Sequence, residues 1–195
     1  MLRNLFLTVL ILISYDLSAQ KELPLGSKAP AINAVSYNGE KIDLAAMLEK
    51  GPVIVNFTRG EWCGHCVHQL SNLEDSLSFL QYYDAQVIGV TPESEKNIMT
   101  TVEKTNASFH IIYDHDRKIM EDYQVKWQMS SFMHIIYRIG GININEASGK
   151  DDRVLPVPAT YIIGRDGTIA GSFFDEDHTR RMWVSDMIKV LEKLD

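Results

Sequence analysis

Short apolar runs alternate with amphipathic segments along most of the chain. Runs rich in β-branched and aromatic residues predict buried strands at 53–57, 86–90, 109–113 and 159–163. A helix is predicted after the first strand, because apolar residues recur there at alternating steps of four and three: Cys66, Leu70, Leu73, Leu77 and Leu80. Strands that alternate with helices indicate parallel βαβ units, and therefore an α/β fold.

Turn and capping residues place further elements around this pattern. Asn38-Gly39, between 31–37 and 40–44, is a favoured two-residue turn and predicts an N-terminal β-hairpin. Short helices are predicted at 45–49 and 116–123, and Thr91-Pro92-Glu93 predicts a capped helix with proline at its first position. Segments 159–163 and 168–174 predict an antiparallel hairpin, and a closing helix follows with one apolar face: Trp183, Met187, Val190, Leu191 and Leu194.

Residues 127–152 interrupt the alternation of strands and helices. The mostly apolar stretch 129–139 predicts a helix, whereas Gly140-Gly141 and the polar stretch 143–152 predict a loop. Loops on a rigid scaffold commonly hold binding residues, so substrate specificity is one function of this insertion. An insertion without a direct role fits the sequence equally well.

The first 19 residues have the pattern of a secretory signal peptide. A short basic start precedes an apolar stretch from Leu5 to Ile13, and small residues precede Gln20. We expect residues 1–19 to be removed, 20–27 to form an extended lead-in and 28–195 to form one domain. The protein is then expected to be exported, to the periplasm or the extracellular space, without an integral membrane span. An uncleaved membrane anchor is the alternative.

Charge and cysteine content narrow the function classes. The net charge is −7, from 26 acidic and 19 basic residues, which argues against nucleic acid and anionic membranes as partners. The chain has only two cysteines, which are too few for a scaffold held together by disulfides.

Both cysteines lie in Glu61-Trp62-Cys63-Gly64-His65-Cys66, between the first buried strand and its helix. The free N–H groups and the dipole of a helix N-terminus favour a thiolate, so we expect Cys63 to be exposed and acidic. Cys66 is expected to be more buried and less acidic, one helical turn away, where its sulfur reaches the first. The pattern indicates a pair that switches reversibly between dithiol and disulfide.

A zinc site is the alternative interpretation of this motif. Such a site usually needs two more ligands at characteristic spacing, and no further cysteine is present. His65 lies between the cysteines, where chelation together with both is awkward, and His68 is expected on the surface. We therefore predict neither a metal nor a cofactor.

The motif, together with Val55-Asn56-Phe57 before it and Val157-Pro158-Ala159-Thr160 about a hundred residues later, resembles the thioredoxin-like superfamily. The likeness covers roughly residues 28 to 195. The segments Arg59-Gly60-Glu61-Trp62-Cys63 and 155–160 are most similar to the alkyl hydroperoxide reductase/thiol-specific antioxidant (redoxin) group, which includes exported TlpA-like oxidoreductases.

This resemblance implies a thioredoxin-like fold, in which helices flank a central mixed β-sheet and the insertion precedes the strand after a cis-proline. Pro158 would be that cis-proline, and it would leave the backbone of Val157 free to pair with a bound substrate. Trp62 would flank the sulfurs and exclude water from one side. Val157 and Gly64 are the implied substrate-binding residues.

The sequence departs from two family patterns. Thioredoxins usually place a buried aspartate where Asn56 stands, and Asn56 cannot accept a proton from Cys66, so Glu61 or water would have to. Peroxiredoxins have a P-x-x-x-T-x-x-C signature, and here Asn56 and Gly60 replace the proline and the threonine. The second departure weakens a peroxidase interpretation.

We therefore predict an exported thiol-disulfide oxidoreductase. Cys63 attacks a disulfide and Cys66 resolves the mixed disulfide, while a partly cationic His65 supports the thiolate and makes the disulfide more oxidising. The expected partners are a protein or small-molecule substrate with a thiol or disulfide, and a protein that supplies or removes electrons. Two alternatives remain: a thiol peroxidase acting through Cys63, and a non-enzymatic copper-handling protein that uses both cysteines and a remote histidine, His134 or His178.

Overall fold

A computed structural model describes residues 20–194 of the chain, so the predicted signal peptide lies outside the described residues. The strands in this part of the chain are β1 (Asn33–Val35), β2 (Lys41–Asp43), β3 (Val53–Phe57), β4 (Gln86–Thr91), β5 (His110–Tyr113), β6 (Lys126–Gln128), β7 (Val154–Pro156), β8 (Ala159–Ile163) and β9 (Ile169–Phe174). The helices are α1 (Leu44–Leu48), α2 (Gly64–Asp75), α3 (Leu77–Gln81), α4 (Glu95–Thr105), α5 (Lys118–Asp122), α6 (Ser131–Ile139), α7 (Ile144–Ser148) and α8 (Val184–Leu191).

Five strands form a central mixed sheet in the order β5-β4-β3-β8-β9. Strands β3, β4 and β5 run parallel, and β8 is antiparallel to both β3 and β9. The predicted N-terminal hairpin is present as β1 and β2. The α/β, thioredoxin-like architecture predicted from the sequence is therefore confirmed.

β3 lies at the centre of this sheet, and all five of its residues are buried. Val53, Val55 and Phe57 pack into the core on one face with the hairpin and α5, while Ile54 packs into the core on the other face with α2, α4 and α8. Because both faces are covered, the strand is a continuous apolar run broken only by Asn56. This rigid strand leads directly into the cysteine motif.

The insertion is held at its base by two short strands that the sequence did not predict. β6 and β7 pair antiparallel, and α6 and α7 lie between them in the chain. The helix predicted within 129–139 is confirmed as α6, whereas part of the predicted loop forms α7. Met129, Ile144 and Leu155 form a small core here, with Trp62 and Tyr137 packed against it. The insertion is therefore fixed against the cysteine motif.

Three local predictions were wrong. The helix predicted to include residues from Cys66 to Leu80 is divided at Ser76 into α2 and α3. The fourth helix begins at Glu95 rather than at Pro92, because Thr91 pairs with Tyr113 in the sheet and the chain turns inward at Glu93 before Ser94 caps the helix. In the predicted apolar face of the closing helix, Trp183 and Leu194 are exposed instead of buried, because the first is the N-cap of α8 and the second lies beyond its last residue.

Candidate active site

Cys63 and Cys66 form a disulfide at the N-terminus of α2, and their Cα atoms are 5.2 Å apart. Cys63 is the N-cap residue, and its carbonyl accepts a hydrogen bond from the amide of Cys66 at 2.8 Å. Gly64, predicted to bind substrate, is exposed at the first helical position. The predicted strand, turn and helix around the cysteines are all confirmed.

Both sulfur-bearing residues are buried: Cys63 is 5% exposed and Cys66 is 1% exposed. The expectation that Cys63 would be exposed was therefore wrong, although it is the more accessible of the two. The side chain of Arg181 lies against both sulfurs. This arginine was not predicted as a site residue.

The guanidinium of Arg181 provides a cation at the disulfide. Its Nη2 lies 3.1 Å from Cys66 Sγ and 3.9 Å from Cys63 Sγ. The residue follows β9 and precedes α8, so it comes from the far end of the chain. Burial, followed by the charge of Arg59, lowers the pKa of Arg181 to about 10, and the side chain stays cationic at neutral pH.

Arg59 lies on the other side of the motif. Its backbone amide is 3.5 Å from Cys66 Sγ, and its Nη2 donates to the hydroxyl of Tyr137 at 2.7 Å. The guanidinium carbon lies 5.2 Å from the ring centroid of Trp62, and the Trp62 and Tyr137 rings meet edge to face at 5.9 Å. Trp62 thus connects the motif to the insertion through Arg59 and Tyr137.

A buried acid supports the loop before Cys63. Glu93 is 1% exposed; it accepts hydrogen bonds from the amide of Glu61 at 2.8 Å and from the hydroxyl of Thr101 at 3.2 Å. Gly60 has φ +134°, and a Cβ there would overlap the carboxyl group of Glu93. The Gly60 carbonyl in turn accepts from the amide of Cys63 at 3.0 Å. Glu93 therefore lies directly behind the backbone that positions Cys63.

Burial raises the pKa of Glu93 from 4.5 to about 7, and the hydrogen bonds from Glu61 and Thr101 only partly offset this effect. The sequence offered no signal for this role, since an acid just before a helix is normally an exposed residue of its first turn. The proton acceptor suggested from the sequence, Glu61, instead forms an ion pair with Lys104.

Asn56 lies on β3, where thioredoxins usually have an aspartate. It is 2% exposed, and its Oδ1 accepts a hydrogen bond from Thr160 Oγ1 at 3.0 Å. The amide is therefore engaged between two neighbouring strands.

The prediction that Pro158 is a cis-proline was wrong, because the peptide bond between Val157 and Pro158 is trans. The amide of Val157 donates to the carbonyl of Val125 at 2.8 Å, so this N–H is not free to pair with a bound chain. Val157 and Pro158 instead line a pocket of about 330 Å³, which Arg59 and Tyr137 also line.

The histidines of the motif do not provide the hydrogen bonds to sulfur. His65 and His68 are exposed on the first two turns of α2, whereas the sulfur contacts in residues 20–194 come from Arg59 and Arg181. The predicted influence of His65 on the thiolate stays a prediction.

The described part of the chain contains no group of three His, Cys, Asp or Glu side chains arranged to hold a metal ion. His134 and His178, considered above as remote copper ligands, are therefore not gathered with the cysteines. Within residues 20–194, no helix has the length and apolar character needed to span a membrane.

Comparisons with known proteins identify the family and the fold of the chain. A model of the AhpC/TSA family matches residues 25–172. Peroxiredoxin Bcp of Bacillus subtilis is 27% identical over 107 residues, which are 55% of this chain and 67% of the relative. Thiol-disulfide oxidoreductase ResA of Bacillus subtilis is 23% identical over 117 residues, 60% of this chain and 64% of the relative. The crystal structure of peroxidoxin BcpB from Mycobacterium tuberculosis superposes with a TM-score of 0.69 at 12% identity, covering 89% of this chain and 99% of that one.

We expect Arg181→Gln to lower the reduction potential of the disulfide. The cation stabilises the thiolates of the reduced form, and a hydrogen bond to a charged group contributes about 1.5 kcal/mol or more, which for two electrons is about 30 mV. Redox equilibration against glutathione, read by thiol alkylation, measures the shift. His65→Ala, measured in parallel, tests the influence predicted for the histidine. An unchanged or higher potential in Arg181→Gln would show that the contact with sulfur has no effect on the redox balance.

Glu93 should make stability depend on pH. Its pKa is raised on folding, so its stabilising contribution is complete below pH 4.5 and is lost as the pH rises through about 7. The full difference is about 3 kcal/mol. The free energy of unfolding of the oxidised protein, measured with denaturant, should therefore be higher in wild type relative to Glu93→Gln at pH 4.5 than it is at pH 8. Glutamine keeps the acceptor for the Glu61 amide and removes only the titration. A difference between the two proteins that does not change with pH would contradict the prediction.

Proposed function

The chain belongs to the AhpC/TSA family, and we propose that within it the protein is a thiol-disulfide oxidoreductase that exchanges the Cys63–Cys66 disulfide with thiol and disulfide substrates. The observation that carries this proposal is the disulfide at the N-terminus of α2 with the Arg181 guanidinium 3.1 Å from Cys66 Sγ. The guanidinium stabilises the thiolate of Cys66 when the disulfide opens. Such a pair suits reversible exchange of two electrons.

The accessibility of the sulfurs assigns their order of reaction. An incoming thiolate attacks Cys63 Sγ, because Cys63 is the more exposed of the pair. The Cys63–Cys66 bond breaks, and Cys66 leaves as a thiolate with the electron pair of that bond. A second thiol then displaces Cys63 from the mixed disulfide, so the substrate becomes a disulfide and the protein becomes a dithiol. The reverse sequence reduces a substrate disulfide.

Arg181 and Arg59 make the departure of Cys66 possible without a proton donor. The guanidinium of the first and the backbone N–H of the second lie 3.1 and 3.5 Å from Cys66 Sγ. Because a stabilised thiolate is a better leaving group, the two contacts favour attack at Cys63. Asn56 stands where thioredoxins have an aspartate that accepts the proton of the second cysteine. If Cys66 is held as a thiolate by these two contacts, no such proton acceptor is needed.

A thiol peroxidase is the second candidate, supported by the family and by the name of the Bcp relative. The local geometry favours exchange instead. The peroxiredoxin threonine would fall on Gly60, where φ is +134° and where a Cβ would overlap Glu93. A β-branched residue is strongly disfavoured at such a backbone angle. The copper-handling alternative has no group of ligands to support it among residues 20–194.

The proposal includes partners and a location. The substrate is a protein or a small molecule with a thiol or a disulfide, and a second redox protein restores the starting state. Export to the periplasm or the extracellular space is supported by the signal-like pattern of residues 1–19. N-terminal sequencing of protein recovered outside the cytoplasm tests the location: a start at Gln20 supports it, and retention of all the protein inside the cytoplasm contradicts it.

Stopped-flow oxidation of the reduced protein tests the chemistry. We expect a second-order rate constant with a small disulfide that exceeds the one with hydrogen peroxide, since Asn56 and Gly60 replace the proline and the threonine of the peroxiredoxin signature. Cys66→Ala should trap a mixed disulfide at Cys63, whereas Cys63→Ala should trap none of comparable yield, because Cys66 is the less accessible sulfur. Faster oxidation by peroxide than by the disulfide would favour the peroxidase.

A further inference from the structure

A pocket of about 330 Å³ is lined by the segment after β7 and by helix α6 of the insertion. Its walls are largely apolar and include Trp127, Met133, Val157 and Pro158. Arg59 also lines it, and the backbone amide of this residue lies 3.5 Å from Cys66 Sγ. The volume falls within the range of small-molecule sites.

Arg59 is the unusual group of this pocket. The residue is 4% exposed, yet in the part of the chain that the structure describes no carboxylate lies within 4 Å of its guanidinium. Buried charges are normally paired, because removing a charge from water is costly. A guanidinium has five N–H donors, and Tyr137 Oη accepts one of its hydrogen bonds at 2.7 Å.

The surroundings of Arg59 are also positive. Burial lowers the pKa of both Arg181 and His178, and the charge of Arg59 lowers both further. The carboxylate of Asp177 acts in the opposite direction on both groups, but it is exposed to solvent. Glu176 lies at the rim, but it is exposed and its charge is screened by solvent. This local excess of positive charge occurs in a chain whose net charge is −7.

We propose that the pocket binds the carboxylate of a small thiol or disulfide and thereby selects the substrate of the exchange reaction; the inference rests on the proposed function. Arg59 donates to the carboxylate, and the Tyr137 hydroxyl, which accepts from Arg59, keeps its own hydrogen to donate as well. The apolar part of the substrate lies against Met133 and Val157. A small molecule is favoured over a protein chain, because the Val157 amide is already bonded within the protein.

The reaction with such a substrate balances as follows. In the reduced protein, the Cys63 thiolate attacks one sulfur of R–S–S–R whose carboxylate is held at Arg59. The substrate S–S bond breaks, and the first R–S⁻ leaves with its electron pair. The Cys66 thiolate then attacks Cys63 Sγ in the mixed disulfide and expels the second R–S⁻. The protein loses two electrons and the substrate gains them.

The test compares 3,3′-dithiodipropionate with its neutral diamide as oxidants of the reduced protein. Each rate constant is divided by that of dithiothreitol with the same compound, which removes the intrinsic reactivity of the disulfides. We expect the protein to prefer the acid about tenfold, the effect of hydrogen bonds to a charged group. The preference should vanish in Arg59→Met and persist in part in Arg59→Lys. Equal normalised rates, or a preference that Arg59→Met retains, would overturn the proposal.

Arg180→Gln is the matched control for long-range charge. Arg180 is exposed, forms an ion pair with Asp175 and does not line the pocket. Its removal should leave the preference for the acid within about twofold, since exposed charges are screened. An equal loss of preference in Arg180→Gln and Arg59→Met would assign the effect to net charge and overturn the site.

A binding measurement on the oxidised wild-type protein does not depend on the folding of any variant. Titration with 3-(methylthio)propanoate should change the tryptophan fluorescence, because Trp127 lines the pocket and Trp62 stacks on Arg59. The matching amide should bind at least about tenfold more weakly. Equal affinity for acid and amide would overturn the proposal. If the acid binds but neither disulfide is reduced, the pocket stands and the proposed oxidoreductase function fails.

Discussion

The proposed exchange reaction depends on how a buried sulfur can become an anion. Cys66 is 1% exposed, so water cannot stabilise the thiolate that forms when the disulfide opens. A charge in such a place needs a cation or hydrogen-bond donors from the protein. Arg181 and the amide of Arg59 provide both, at 3.1 and 3.5 Å. The central sheet, the loop before the motif and the segment before α8 all serve to bring these groups to one sulfur.

The parts that could be predicted from the sequence are those encoded by local patterns. β3, α2 and the cysteines at the junction follow from an apolar run, a helical repeat and a motif, all within 30 residues of one another. The hairpin of β1 and β2 follows from its Asn-Gly turn. Strands of three residues, such as β6 and β7, are too short to show a periodicity, so the base of the insertion was missed.

The residues that complete the site were missed for a different reason. Arg181 lies 115 residues from Cys66, and nothing in the sequence around it shows that it reaches the sulfur. Glu93 has the local pattern of a helix start. Its carboxyl group instead occupies the space that a Cβ at position 60 would fill, and Thr91 is the last residue of β4. In both cases tertiary packing decides the position. The Val157 amide is a similar case, since its hydrogen-bond acceptor is the carbonyl of Val125, on a different part of the chain.

The origin of Arg181 has a consequence for how such proteins diversify. The cation comes from a surface segment between β9 and α8, and the cysteines come from the first turn of a core helix. Arg181 is only partly buried and belongs to neither core cluster, whereas its neighbour Met182 packs into the core with α2 and α8. A change at position 181 alone can therefore alter the driving force for electron exchange while the two cysteines and the core stay the same.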